Sequence, residues 1–349
     1  MHGLRIGLIG SGFIANQKHL PAWQKIERDA KVVALCDVNS SRAEEIARKY
    51  GVPRVYQDID QMLEKEKVDI VDVCSPPQTH AALALRALQS GAHVLIEKPM
   101  AVSTEECDAI IAAASETRRH VCVAHSDLFY PAFAKARKLV SRGAIGEFKG
   151  MRIFLSTPVD YITSNPDHWA HRLPGGVIGE TGPHVVYLTL SFINPICDVR
   201  VHAQKLLPQF TWSPFEDYRL ELIGEKAVSS VTLTYATPHW AAQVDIWGTE
   251  GLLKLDLETQ SIVRYTRPSL KPAAIGFSAL REATQVVQST LGTASRILLG
   301  DFRNTHDQLV RGFVKSIRDR TAPPVTAQEG REAVRVMNLI VEKLRPQTA

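Results

Sequence analysis

None of the five cysteines (Cys36, Cys74, Cys107, Cys122, Cys197) stands in a Cys-x-x-Cys pair, and each lies in an apolar context of strand or helix type. That spacing excludes a zinc ribbon or a dithiol redox centre and reads as buried free thiols in a reducing cytoplasm. The histidines lack paired-ligand spacing with cysteines or acids, so no metal site is expected. Nor does any stretch reach the about 18 uncharged apolar residues of a membrane span. The first residues lack a small-residue cleavage site, and Gly7, Gly10 and Gly12 interrupt their apolar run, so they do not read as a secretion signal. The expectation is a soluble, cytoplasmic protein. Positive charge is scattered, with no block longer than Arg118-Arg119-His120 despite a net charge of +4. The concentrated basic stripe of a nucleic-acid groove is therefore missing. Low-complexity tracts are also absent, and 45% hydrophobic with 22% charged residues is the composition of an ordered globular chain. The length of 349 residues fits two domains.

What is present begins at residues 4–9, an apolar run with the length of a buried strand, which leads into Gly10-Ser11-Gly12-Phe13-Ile14-Ala15. This is G-x-G-x-x-A in a strand-then-helix context. Gly10 makes the tight turn, Gly12 admits a pyrophosphate to the backbone, and Ala15 allows close helix-on-strand packing. The phosphates then rest on the helix N-terminus, with Phe13 and Ile14 in its first turn. A second strand, residues 31–36, ends in Asp37, at the position where an acid accepts hydrogen bonds from the adenine ribose. The carboxylate favours NAD over NADP, while Arg42 nearby keeps NADP open because a guanidinium can pair with a 2′-phosphate.

Strand and helix then alternate: helix 39–50, strand 55–56, helix 59–66, strand 68–74, helix 79–90 and strand 93–96. Such a succession predicts a parallel, doubly wound Rossmann sheet that binds ligands at the carboxyl ends of its strands. Ser75, Pro76 and His80 after one strand, and Glu97, Lys98 and Pro99 after the next, fall at that crevice. Further on, a double glycine (Gly175, Gly176) precedes Glu180 and His184, which stand four apart and on a helix project from one face.

The glycine loop, Asp37, Ser75-Pro76-Pro77-Gln78-Thr79-His80, Glu97-Lys98-Pro99 and the stretch from Gly175 to His184, in that order, resemble the Gfo/Idh/MocA family of NAD(P)-dependent oxidoreductases. The resemblance covers essentially the whole chain. It implies a Rossmann domain, set here at residues 1–124. A substrate-binding and oligomerising α+β domain with a large, mostly antiparallel open sheet follows at 125–349, and its C-terminal helices are expected to pack back on the first. It also implies hydride transfer between NAD(P) and a hydroxyl or carbonyl of a sugar, cyclitol or related polyol.

The second half supports an α+β reading on its own pattern. Residues 147–157, 198–207, 218–224, 227–236, 240–248, 252–257 and 261–266 are strand candidates. Several alternate with period two, and tight connections at 224–226 and 248–251 suggest hairpins. Closing helices are expected over 301–319 and 327–344. Residues 273–299 read as an extra helical hairpin on the substrate domain, with a subunit contact or a lid as alternatives. An open sheet needs cover, which suggests a homodimer or homotetramer through the C-terminal sheet.

Hydride transfer from an alcohol needs a proton acceptor and a positive donor for the developing alkoxide. His184 and Lys98 fit these needs, and Glu180 is expected to orient the imidazole. His125, Tyr161, His168 and Arg172 are the candidate substrate contacts. Two departures from the family stand out. Glu180 occupies the position of the usual aspartate, and Ala124-His125-Ser126-Asp127 stands where an asparagine and arginine are common. A redox-neutral enzyme that retains its NAD, catalysing glycoside cleavage or epimerisation, and a non-catalytic NAD(P)-binding regulator are the alternatives.

Overall fold

A computed structural model describes residues 3–158, 162–266, 269–300 and 305–344. The described chain forms two compact units, residues 3–126 with 305–335, and residues 127–300 with 336–344.

The first unit opens with β1 (Leu4–Ile9), whose last four residues are buried, and a π-helical turn (Ala15–His19) running into α1 (Leu20–Gln24). There follow β2 (Ala30–Cys36), α2 (Ser40–Tyr50), β3 (Arg54–Tyr56), α3 (Ile59–Glu66), β4 (Ile70–Val73), α4 (His80–Gln89), β5 (His93–Ile96), α5 (Thr104–Thr117) and β6 (Val121–Val123). Asn39, Asp58 and Ser103 each accept a backbone N–H of the first turn of α2, α3 and α5, satisfying a donor that the helix cannot. The six strands are all parallel, in the order β3-β2-β1-β4-β5-β6. This order reverses between β1 and β4, and the loops after those strands flank the crevice that a doubly wound sheet offers a ligand. Ile6, Leu8, Val71, Val73, Leu95 and Ile96 are each buried at the sheet centre. Burying such side chains contributes about 1.5–3 kcal/mol apiece.

The second unit begins with α6 (Pro131–Ser141) and β7 (Phe148–Pro158), then α7 (Ile178–Leu190), β8 (Ile196–Gln204), β9 (Asp217–Gly224), β10 (Val228–Thr237), β11 (Ala241–Gly248), β12 (Leu252–Asp256), β13 (Ser261–Tyr265) and α8 (Pro272–Leu298). Its seven-stranded sheet has the order β13-β12-β11-β7-β10-β9-β8 and is antiparallel except for β7 with β10. Alternation sets the two faces: Leu220, Leu222, Val231, Leu233, Val244 and Ile246 are buried, while Arg219, Glu221 and Gln243 are exposed. Helix α7 lies against β7 and β10, and the Tyr235 hydroxyl of β10 donates to the Val177 carbonyl at its start (3.0 Å).

The chain closes with α9 (Thr305–Asp319) and α10 (Ala327–Leu344). Helix α9, with α10 as far as residue 335, belongs to the first unit, where Thr326 and Glu329 form a reciprocal capping box at the start of α10.

Two readings of the sequence need correction. Residues 272–298 make one 27-residue helix, not a hairpin, because no glycine or proline inside the segment forms a turn. Cys197 is exposed on β8, whereas Cys36, Cys74, Cys107 and Cys122 are buried. Burial pushes the thiols of Cys36, Cys107 and Cys122 up to about 12, so they stay protonated and inert. No helix among the described residues is long and apolar enough to cross a membrane.

Candidate active site

The loop after β1 is shaped for a dinucleotide. Gly10 has φ +89°, and a Cβ there would lie 2.8 Å from the Cys74 carbonyl carbon and oxygen, so only glycine fits between the ends of β1 and β4. At Gly12 a Cβ would meet nothing within 4 Å, leaving the backbone open to approach on that side. Helical structure starts at Phe13, which is 63% exposed. The N–H groups of its first turn have no carbonyl of their own helix to bond, which suits a phosphate.

Asp37 closes this cradle from the end of β2. Its Oδ2 accepts from the Ser11 backbone N–H and hydroxyl (both 2.7 Å), and its Oδ1 accepts from the Asn39 N–H (2.9 Å). Arg42, on the first turn of α2, forks onto both oxygens at 2.8 and 3.0 Å. Burial alone would raise the carboxyl pKa, but these donors override it and hold the group below the usual carboxylate range. Arg42 is thus committed to Asp37.

Ser75 and Pro76 follow β4, with the Ser75 hydroxyl 2.7 Å from that of Thr79. His80 is fully buried and joins two loops, its ring nitrogens lying 2.8 Å from the carbonyl oxygens of Ser75 and Pro99. Burial lowers its pKa. As a neutral ring it carries one N–H, and it fixes the loop after β4 against the loop that carries Lys98. Lys98 is half-buried.

Glu97 does not face outward with Lys98. Its Oε1 lies 2.8 Å from His19 Nε2 and 3.6 Å from His306 Nε2, and its Oε2 accepts the Lys98 N–H (3.1 Å). His19 Nδ1 in turn lies 2.8 Å from Asp72 Oδ2, which also accepts the Trp23 indole N–H at 2.6 Å. A carboxylate on each ring nitrogen requires both to carry protons, so His19 is an imidazolium. Burial disfavours that charge, but Asp72 more than compensates and holds the pKa well above the ordinary value. Glu97, despite burial, is held well below its usual range by His19 and His306. His306 is buried, and burial lowers its pKa.

Linear spacing gave no hint that metal-ligand types would meet here. Donor atoms of His19, Glu97 and His306, and of His19, Asp72 and Cys74, nevertheless lie within 4.8 Å of one another. With both His19 nitrogens protonated, they form an ion-pair network beneath the loop that carries Lys98.

In the second unit, Gly175 and Gly176 take left-handed conformations (φ +81° and +71°), which turn the chain into α7. Glu180 and His184 both ride on this helix, as their spacing suggested. The carboxylate at the imidazole, however, is Asp127. Its Oδ2 is 2.7 Å from His184 Nδ1, and the Tyr187 hydroxyl is also 2.7 Å from Nδ1. Glu180 Oε2 accepts from the Thr181 hydroxyl (2.9 Å). An ionised carboxylate only accepts, so Nδ1 carries the proton and the lone pair is left on Nε2. Tyr187 is deeply buried, which together with Asp127 pushes its phenol well above the ordinary value and keeps it a donor. Sequence reasoning quoted Asp127 without assigning it a role and missed Tyr187.

His125 is buried in the first unit. His168 caps the short 3-10 turn Trp169–Arg172 by accepting the Ala170 N–H through Nδ1 (3.2 Å), a structural task, and its ring lies against Trp169. Arg172 ends that turn and is exposed. Tyr161 lies outside the described residues.

Comparison with known proteins agrees with this architecture. Residues 4–125 match the model of the oxidoreductase family with an NAD-binding Rossmann fold, and residues 133–254 match the model of the GFO/IDH/MocA C-terminal domain. The chain is 25% identical over 338 residues to D-apiose dehydrogenase of Paraburkholderia graminis, covering 93% of this chain and 88% of that one. Among solved structures, the WlbA dehydrogenase of Bordetella pertussis in complex with NADH and UDP-GlcNAcA superposes with a TM-score of 0.83 at 18% identity, covering 98% of this chain and 95% of the other. Levoglucosan dehydrogenase in complex with NADH and levoglucosan does so with a TM-score of 0.78 at 21% identity, covering 98% and 97%. With the glycine cradle, Asp37 and the two sheets in place, the chain belongs to the Gfo/Idh/MocA oxidoreductases and carries their NAD-binding Rossmann domain.

Proposed function

We propose that this protein is an NAD-dependent dehydrogenase that oxidises a secondary alcohol of a sugar, cyclitol or related polyol, or reduces the corresponding ketone. The observation that carries the reading is the pairing of His184, on α7, with Asp127, since a histidine held in one tautomer is a ready proton acceptor. When bound, NAD supplies the acceptor for the hydride leaving the carbinol carbon. His184 Nε2 takes the hydroxyl proton, Asp127 stabilises the imidazolium that forms, and Lys98 binds the reacting oxygen through its ammonium. Tyr187 and Glu180 support the pair from the same helix. Glu97, with its buried histidines, fixes the backbone from which Lys98 projects.

Gly10, Gly12, Phe13 and Ile14 hold the pyrophosphate, and Asp37 the adenine ribose. Ser75, Pro76 and His80 line the adjoining loop. Commitment of Arg42 to Asp37 supports NAD over NADP. We place His125, Tyr161 and Arg172 at the substrate. We place the protein in the cytoplasm, in keeping with its four buried free thiols, and as a homodimer or homotetramer through the outward face of the C-terminal sheet, where Arg152 pairs with Asp245 and Arg200 with Glu221.

The test is a panel of sugars, cyclitols and uronates offered with NAD and with NADP in both directions, read by nicotinamide absorbance. Turnover of a polyol with NAD, at a higher kcat/KM than with NADP, supports the proposal; silence of the whole panel with both cofactors defeats it.

A further inference from the structure

Helix α8 is turned inside out relative to an ordinary surface helix. The side facing its own domain is polar: Gln285 bonds through its amide to both the N–H and the carbonyl of Arg264 on the edge strand β13 (2.9 and 3.2 Å), and Thr293 donates to the Thr259 carbonyl (2.9 Å). Ser278, Glu282, Ser289 and Arg296 share that side and are buried or half-buried. The solvent side is apolar, with Phe277 74%, Leu280 67%, Val287 57%, Leu291 65% and Leu298 87% exposed. A globular domain normally turns such a stripe inward.

The stripe has a heptad period. Ala273, Phe277, Leu280, Thr284, Val287, Leu291, Ala294 and Leu298 follow one another at alternating steps of three and four residues along the whole helix, and all eight are exposed. That spacing is the seam of a coiled coil, whose partner is another helix. The order of sizes identifies which one. Paired antiparallel with itself about its midpoint, α8 sets Ala273 opposite Leu298, Phe277 opposite Ala294, Leu280 opposite Leu291 and Thr284 opposite Val287. Large thus meets small at the two outer layers, two leucines meet at the third, and at the centre Thr284 meets a Val287 of nearly the same size. Paired in parallel, it sets Phe277 on Phe277 and leaves gaps at Ala273 and Ala294.

The charge pattern agrees. Arg281, which flanks the seam, falls beside Gln288 of the antiparallel copy instead of another arginine. A helix lying on an anionic membrane carries a lysine- and arginine-rich polar face, whereas α8 holds only Arg281, Arg296 and Glu282. We propose that α8 is a self-association helix that pairs antiparallel, across a two-fold axis, with α8 of a second copy of this chain. The contact lies at the β13 edge and is separate from any pairing through the open face of the sheet.

The full-length protein with Leu280→Glu and Leu291→Glu, both on the solvent side, should keep its thermal unfolding profile and its NAD affinity. Its mass by sedimentation equilibrium should fall to half that of the unmodified protein. In a Cys197→Ser background, Leu280→Cys with Leu291→Cys should give a disulfide-linked dimer on mild oxidation. Leu280→Cys alone should give none, because the two copies of residue 280 stand about 16 Å apart along an antiparallel pair, from the helical rise. An unchanged mass of the double glutamate variant, or linkage by Leu280→Cys alone, overturns the proposal. So does co-sedimentation of a monomer with equimolar phosphatidylcholine and phosphatidylglycerol vesicles that the glutamates abolish.

Discussion

The buried network beneath Lys98 makes Asp72→Asn a sharp test of the account of the first unit. Asp72 is wholly buried and serves two strong donors at once, the His19 imidazolium, which reaches both its oxygens, and the Trp23 indole, which reaches Oδ2. Asparagine has the same shape but only one acceptor, so its amide N–H₂ must face one of those donors. Removing one partner of a buried ion pair typically costs about 3–5 kcal/mol because the other charge remains without compensation. In a unit of this size each kcal/mol moves Tm by about 2–4 °C, so a fall of about 6–20 °C is expected by calorimetry. The deficit also carries a pH signature. His19 has its folded pKa raised above the ordinary 6.5, so the stability it contributes is complete below that value and fades as pH rises through the folded pKa. Glu97 is depressed from 4.5, so its contribution is complete above 4.5 and is lost as pH falls through its folded value. The difference in Tm between the unmodified protein and Asp72→Asn is therefore largest from about pH 4.5 to 6.5 and shrinks above. A variant that melts within about 2 °C of the unmodified protein across that window, a shift worth under about 1 kcal/mol, would refute the ion-pair account.

Other consequences are equally concrete. Asp37→Ala removes the ribose acceptor and releases Arg42, so KM for NAD should rise by about tenfold or more, as loss of a charged hydrogen bond implies, while KM for NADP falls; an unchanged ratio speaks against the assignment. Asp127→Ala should lower kcat by about 10²-fold, the lower end of the range for a positioned base, and leave KM for NAD unchanged. Recovery in Asp127→Glu would separate this positioning role from general disruption. Gly10→Ala forces a side chain into a left-handed site against the Cys74 carbonyl, so it should destabilise the first unit by about 1–3 kcal/mol and weaken NAD binding, as measured by thermal shift with and without cofactor.

Much of this architecture was legible in the linear chain because local rules fix it. The strand, glycine turn and helix at residues 4–24 and the acid at Asp37 are a local pattern. The hairpins at Gly224 and Gly248 likewise declare themselves through period-two flanks and tight turns. What stayed hidden depends on contacts remote in sequence. Asp127 reaches His184 across 57 positions, and nothing near either residue signals it; the i,i+4 spacing pointed to Glu180 instead. His19 meets Asp72 53 positions away and Glu97 78 positions away, so isolated histidines conceal a buried charge cluster. The parallel pairing of β7 with β10 inside an antiparallel sheet is likewise set by topology, since alternation looks the same in either direction. Residues 273–299 were expected as a helical hairpin on the substrate domain, with a subunit contact or a lid as alternatives, and only the structure shows one helix whose apolar residues face solvent.

The central claim is that His184 takes the proton during NAD-linked oxidation. It is tested most directly by mixing His184→Asn with NAD and the best polyol from the substrate panel, then following NADH formation in a single turnover while measuring NAD affinity separately. The account predicts a rate lower by about 10²–10⁴-fold with NAD affinity unchanged; a hydride-transfer rate equal to that of the unmodified protein would contradict it.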